Sequence, residues 1–261
     1  MNATIAAQMT GADLLKLRKK RGTMIWVLVL ALAPIVILFT VKAIQHASTP
    51  AKEGPAGGTP GFIDGLRLLA LFFGPLAAIL IGVEAGTGDA SAGVFRDLVV
   101  TGRSRVGLFA SRVPAALAAC WAVVLLAYGL VLVGSFAFAS NLPTPDAALI
   151  LNGLGFALLA NGVVCVVAVG FASLTTSKPA AITALIGWQL VASPLIANIS
   201  SLGSARDAVL SQAIMHFSPV HIGGGRGATV SMAQATALLI VAAWVAIFLA
   251  LGAWRTRTMD A

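Results

Sequence analysis

Charge is what this sequence has least of: Asp, Glu, Lys and Arg make up 10% of its 261 residues, against about 25% in a soluble domain. With 59% hydrophobic residues and a mean hydropathy of +0.96, the chain cannot be wetted all round. That excludes a soluble globular fold and predicts an all-α polytopic membrane protein. Cysteine is scarce too. Cys120 and Cys165 sit inside apolar runs, match no metal or redox spacing, and read as small buried hydrophobes. Paired catalytic carboxylates and an intramembrane His/Asp/Glu cluster are both missing, which argues against a membrane-embedded hydrolase or an ion-coupled carrier. Met215, His216 and His221 are too sparse a trio to predict a metal site. No internal repeat is evident.

What is present is apolar length. A spanning helix needs about 20 mostly apolar residues, and six stretches qualify: roughly 23–43, 62–83, 110–139, 147–172, 180–199 and 232–253. Asp64 and Arg67 interrupt the second, at a spacing that lets them pair on one helical face near the membrane surface. A cleaved signal peptide is disfavoured. The first run continues past Ala31-Leu32-Ala33, and Pro34 sits where cleavage would fall.

The net charge of +8 and pI near 10.4 would suggest nucleic acid in a soluble protein. Here placement matters more, and no nucleic-acid partner is expected. With both termini in the cytoplasm, only Lys42, Lys52, Arg67, Arg206 and Arg226 of the seventeen basic residues lie outside, as the positive-inside rule prefers. Trp26 and Trp254 then fall in the inner aromatic belt.

Residues 8–21 precede the first span. Thr10 and Asp13 resemble a capping box, and Leu14, Leu15 and Leu17 can face lipid while the basic cluster meets headgroups. A short interfacial helix is expected, a disordered basic tail being the alternative. The stretch 48–61, STPAKEGPAGGTPG, reads as an exposed outer loop. Between the last two spans, DAVLSQAIMHF forms either a short helix dipping into the membrane or an ordinary surface helix. Gly223-Gly224-Gly225-Arg226-Gly227 lacks the Lys-Ser/Thr of a phosphate cradle and reads as a turn.

The most unusual stretch is AGVFRDLVVTGRSRVGLFASR, residues 92–112. In a helix Val94, Phe95, Leu98 and Val99 share one face, with Arg96 and Asp97 on the other and Val100 a misfit. Asp89 or Ser91 can cap its start, Gly102 can end it, and Ser104 can restart a helix that becomes the third span. So short a helix needs something to hold it, either the lipid surface or another protein.

Glu84-Ala85-Gly86-Thr87 followed by Ala92 to Arg105 resembles the signature of the type-2 ABC transporter permeases. Gly93, Leu98, Ser104 and Arg105 occupy matching places, whereas Val94 stands where the family has threonine. The layout is similar as well: a basic N-terminal helix, six spans, and a semi-apolar outer segment before the last.

The resemblance implies a coupling helix at 92–105 that docks on a separate ATP-binding subunit. Glu84, Gly93, Val94, Phe95, Arg96, Leu98, Val99, Arg103 and Arg105 are the residues it implicates. Two copies of that ATPase and a second copy of this chain or a homologous permease would complete the assembly, together with membrane lipids. The chain has no GxxxxGK[ST] motif, so ATP and Mg would be held by the partner, with no cofactor and no catalytic residue here. The family's second and fifth spans line the transport path, which makes Gln189, Ser193 and Asn198 path candidates. Gln189 and Ser193 share a helical face, and Pro194 should kink the span and leave the Leu190 carbonyl without its partner. Asn152 and Asn161, on opposite faces of the fourth span among glycines, read as packing residues. Trp121 and Trp188 read as core or lipid-facing. The rival is a membrane scaffold or assembly factor with no transport path.

Overall fold

The computed structural model describes residues 3–50, 52–91, 104–175, 177–220 and 232–258. Among them there is no strand, and six helices are long and apolar enough to cross a bilayer. The fold is an all-α polytopic membrane protein.

Helix α1 (Ala3–Lys19) leads directly into α2 (Arg21–Ser48), the first span, through a backbone break at Lys20. The second span is composite: α3 (Gly58–Arg67), a widened π turn (Leu68–Phe72) and α4 (Phe73–Ser91). The third and fourth are α5 (Arg105–Ala137) and α6 (Ala147–Ala172). The fifth is again composite: α7 (Lys178–Gly187), a second π turn (Trp188–Ala192) and α8 (Ser193–Asn198). A 3-10 stretch (Ser200–Ala208) and short α9 (Leu210–Met215) lead towards the last span, α10 (Gln234–Thr258).

Burial explains why these elements take the positions they do. On α2, Val27, Ala31, Ile35 and Phe39 are buried at four-residue steps, and Ile25, Trp26, Val29, Ile37 and Ile44 are exposed on the remaining faces. A soluble protein does not leave such a surface in water; hydrocarbon is its natural solvent. Spans two and four are the most enclosed, and one, five and six are peripheral.

Small residues let the central pair approach. A Cβ on Gly82 would meet the Ala168 methyl at 2.6 Å, and one on Gly86 the Ala172 methyl at 2.7 Å. Gly170 gives the same clearance to α10, where a Cβ would lie 2.3 Å from the Phe248 carbonyl oxygen. Without a hydrophobic driving force between helices in lipid, such close contact is what holds them.

Several expectations need adjustment. Helix α1 already begins at Ala3, so Thr10 and Asp13 lie inside it and cap nothing. Asp13 instead accepts the Ser111 hydroxyl of α5 at 2.7 Å and pairs with Lys16. Leu17 is buried in the bundle rather than turned to lipid, while Leu15 is exposed. The second span starts at Gly58, inside the stretch expected as an exposed loop. Its first turn is pinned by bonds from Gly57 N–H to the Phe138 carbonyl and Thr59 N–H to that of Pro143, both 2.8 Å. Gly58 takes φ +67 there, where a side chain would be strained. Asp64 and Arg67 do pair, at 3.6 Å, and Lys42 of α2 joins them on Asp64.

Candidate functional site

The chain presents two places where chemistry could concentrate. The first is the basic end of the bundle, where α2, α5 and α7 begin and α4, α6 and α10 finish.

Glu84, on α4, is only 6% exposed. It accepts the Thr23 hydroxyl of α2 at 2.9 Å, forms a close ion pair with Lys178, and lies 3.9 Å from Lys20. Lys178 also reaches the Thr23 oxygen at 3.3 Å. Lys178 is the first residue of α7, where the helix dipole disfavours a cation; Glu84 offsets that. A carboxylate this buried requires such partners. The result ties three spans at one point. In the sequence nothing local linked Lys178, Lys20 or Thr23 to Glu84.

The other residues of the acidic-Gly-Thr run pack inside the bundle. Gly86 sits against α6, and Thr87 is fully buried with its hydroxyl bonded to the Val83 carbonyl at 2.8 Å. Gly93, Val94, Phe95, Arg96, Leu98, Val99 and Arg103 lie outside the described residues. The residues flanking them are described. Helix α4 continues through Ser91, so Asp89 is inside a helix and not at the cap of a new one. Ser104 does cap the third span, accepting from Gly107 N–H at 3.1 Å. Arg105 donates to the Arg257 carbonyl at 3.2 Å, satisfying an end carbonyl of α10.

The second place is the fifth span. Proline lacks an N–H, and Pro194 shifts the ladder: Ser193 N–H bonds five residues back to Trp188, forming the π turn in place of a simple kink. Gln189 and Ser193 each approach the start of α9, Gln189 lining a cavity with Leu210 and Ser193 meeting Ser211. Ser193 is buried and its hydroxyl lies 2.6 Å from that of Ser211. Asn198 is exposed and donates to the Pro194 carbonyl of its own helix at 2.8 Å. The three candidates therefore do not form one cluster.

Gln189 alone lines a cavity of about 340 Å³, with Ile79 of α4, Phe171 of α6, Trp188, Leu210, and Trp244 with Phe248 of α10. Trp188 and Trp244 have ring centroids 5.7 Å apart, Trp244 and Phe248 5.5 Å, and Phe248 and Phe171 6.0 Å. Trp188, expected in the core or facing lipid, thus belongs to an aromatic wall; Trp121 bridges α5 to the Leu158 carbonyl instead. Trp244 donates its indole N–H to the Ala208 carbonyl at 2.9 Å. It lies ten residues inside α10, about 15 Å from that helix's start, so Ala208 meets the last long helix well within its length. Phe171, Trp244 and Phe248 carry no pattern of their own in the sequence, and periodicity could not have singled them out.

Fold and burial together define a polytopic helical membrane protein with an enclosed charged cluster at one end and an aromatic cavity within the bundle. Comparison with protein-family models and with curated protein sequences gives no significant match.

Proposed function

We propose that the chain is the membrane-spanning permease subunit of an ATP-driven ABC exporter, acting as a dimer with two copies of a separate ATPase. The observation that carries this reading is the anchoring of the ends around residues 92–103. Through Glu84 the preceding helix is tied to spans one and five, and through Arg105 the following one is tied to span six. A push on the intervening segment would therefore reach several spans at once. Val94, Phe95, Leu98 and Val99 supply an apolar face for a partner's groove, and Arg96 and Arg103 can meet carboxylates.

In this reading the basic end is cytoplasmic, as are both termini, and the protein sits in a bacterial cytoplasmic membrane. Helix α1 lies along the inner interface. The 200–220 segment dips back from the outer side through its buried part, Val209, Leu210, Ala213 and Ile214. The chain does no covalent chemistry. ATP-driven closure of the ATPases switches a path at the dimer interface, and the cargo is amphipathic.

The test is whether an ATPase subunit co-purifies with the full chain, followed by nucleotide-dependent transport in vesicles. Val94→Asp with Phe95→Asp should abolish transport in a protein that still folds. A chain that purifies without any ATPase, and whose transport ignores those substitutions, overturns the proposal.

A further inference from the structure

We propose that the aromatic cavity is a binding site for a compact, neutral molecule of one or two aromatic rings that carries a single hydrogen-bonding group. All of its described lining comes from one protomer, and the proposal does not depend on the transport reading.

Its size sets the scale. At about 340 Å³ it lies at the small end of ligand pockets, which run from roughly 300 to 1,000 Å³. That admits one or two rings, not an extended lipid or a peptide. Its walls set the chemistry. Trp188, Trp244, Phe248 and Phe171 form a continuous run of rings at stacking distances, and a planar aromatic guest continues such a run. Among the described residues no charged one lines it, so an ionic guest would lose its hydration without compensation.

Its one amide sets the polar group. Gln189 is half-buried and has no hydrogen-bond partner among the described residues. The Trp244 N–H is already committed to Ala208. An amide both donates and accepts, and in apolar surroundings its unmet groups are costly. Lipid tails cannot satisfy it; a guest with a carbonyl, hydroxyl or amine can. Ala184, exposed beside the cavity, opens one side of it to the bundle surface, which suits a guest arriving through the membrane.

Benzophenone is a suitable probe, having two rings, one carbonyl acceptor and the ability to insert into nearby C–H bonds on irradiation. The purified full chain, in phospholipid nanodiscs without any ATPase, is irradiated with increasing benzophenone and the labelled peptides are mapped by mass spectrometry. Saturable labelling at Trp188, Trp244 or Phe248 is expected. Benzhydrol should displace it, and diphenylmethane, which lacks the hydrogen-bonding group, should do so several-fold less well. Gln189→Leu should weaken labelling about threefold to tenfold. Val164→Phe, which fills the cavity, should remove it.

Labelling that rises without saturation and spreads over lipid-exposed positions such as Val133 and Leu239 overturns the proposal. So does saturable labelling that neither substitution changes. Should Val164→Phe fail to fold, the wild-type competition with the two analogues decides by itself. Because no ATPase is present, failure here leaves the permease reading standing, and failure of that reading leaves this one.

Discussion

Spans two and five contain the same local defect and use it differently. In each, a proline follows a π turn: Pro75 after Leu68–Phe72 and Pro194 after Trp188–Ala192. In each, the next residue bonds five back, Phe73 to Leu68 and Ser193 to Trp188. The second span is enclosed, and there the defect is sealed. Asn161 of α6, fully buried, donates to the Leu69 carbonyl at 3.3 Å and to that of Ala157 at 2.8 Å. The fifth span is peripheral. None of its π-turn residues is buried, and Leu190 and Val191 are about half exposed. The amide nearby, Gln189, faces a cavity and bonds to nothing described. A widened turn becomes a packing joint where a neighbouring helix fills it, and a concavity where none does.

That contrast can be broken most severely at Gly74. A Cβ there would stand 1.8 Å from the Leu69 carbonyl oxygen, a backbone atom that cannot move aside. Gly74→Ala should cost about 3 kcal/mol or more, read as loss of monodisperse protein and a lower unfolding midpoint in mixed micelles. Asn161→Leu, which removes the amide's bond to the Leu69 carbonyl, should cost about 1–3 kcal/mol by the same titration.

The peripheral span should respond in the opposite sense to an added methyl. At Gly187, just before its π turn, an added Cβ would have nothing within 4 Å; Gly187→Ala should therefore be neutral or stabilise by up to about 1 kcal/mol. Ser193→Ala removes a hydroxyl pair and should cost about 0.6 kcal/mol, the typical value for such bonds between membrane helices. Smallest of all, Gln189→Leu should cost nothing, because it breaks no bond within the fold and removes an unmet amide. A cost for Gln189→Leu equal to that for Asn161→Leu would erase the distinction between the two spans.

Much of the architecture was readable from residue order. Among the described residues six helices are long and apolar enough to cross a bilayer, as many as the apolar runs called for, because a bilayer demands a fixed length of oil. Asn152 and Asn161 were assigned to opposite faces, and one is exposed and the other fully buried; spacing gives relative orientation but not which face points inward. The candidate site was harder. Glu84 was picked for a partner's surface, and its carboxylate is buried against Thr23 and Lys178, residues 61 and 94 positions away. Of the path candidates, Ser193 and Asn198 are engaged within the chain and Gln189 remains open. Pro75 carried the same signal as Pro194, yet only the packing of α6 against it shows what the defect is for.

By itself, the sequence determined that this chain has apolar length for six membrane-crossing helices and which of its stretches are basic. These follow from transfer of apolar length and from charge bias, both properties of short stretches. Only the tertiary structure decided which polar groups meet: Asn161 with Leu69, Glu84 with Lys178, and four aromatic rings around an unmatched amide. Those depend on how helices far apart in sequence rotate and cross, and in a bilayer that is set by small residues allowing close approach and by buried polar groups finding partners.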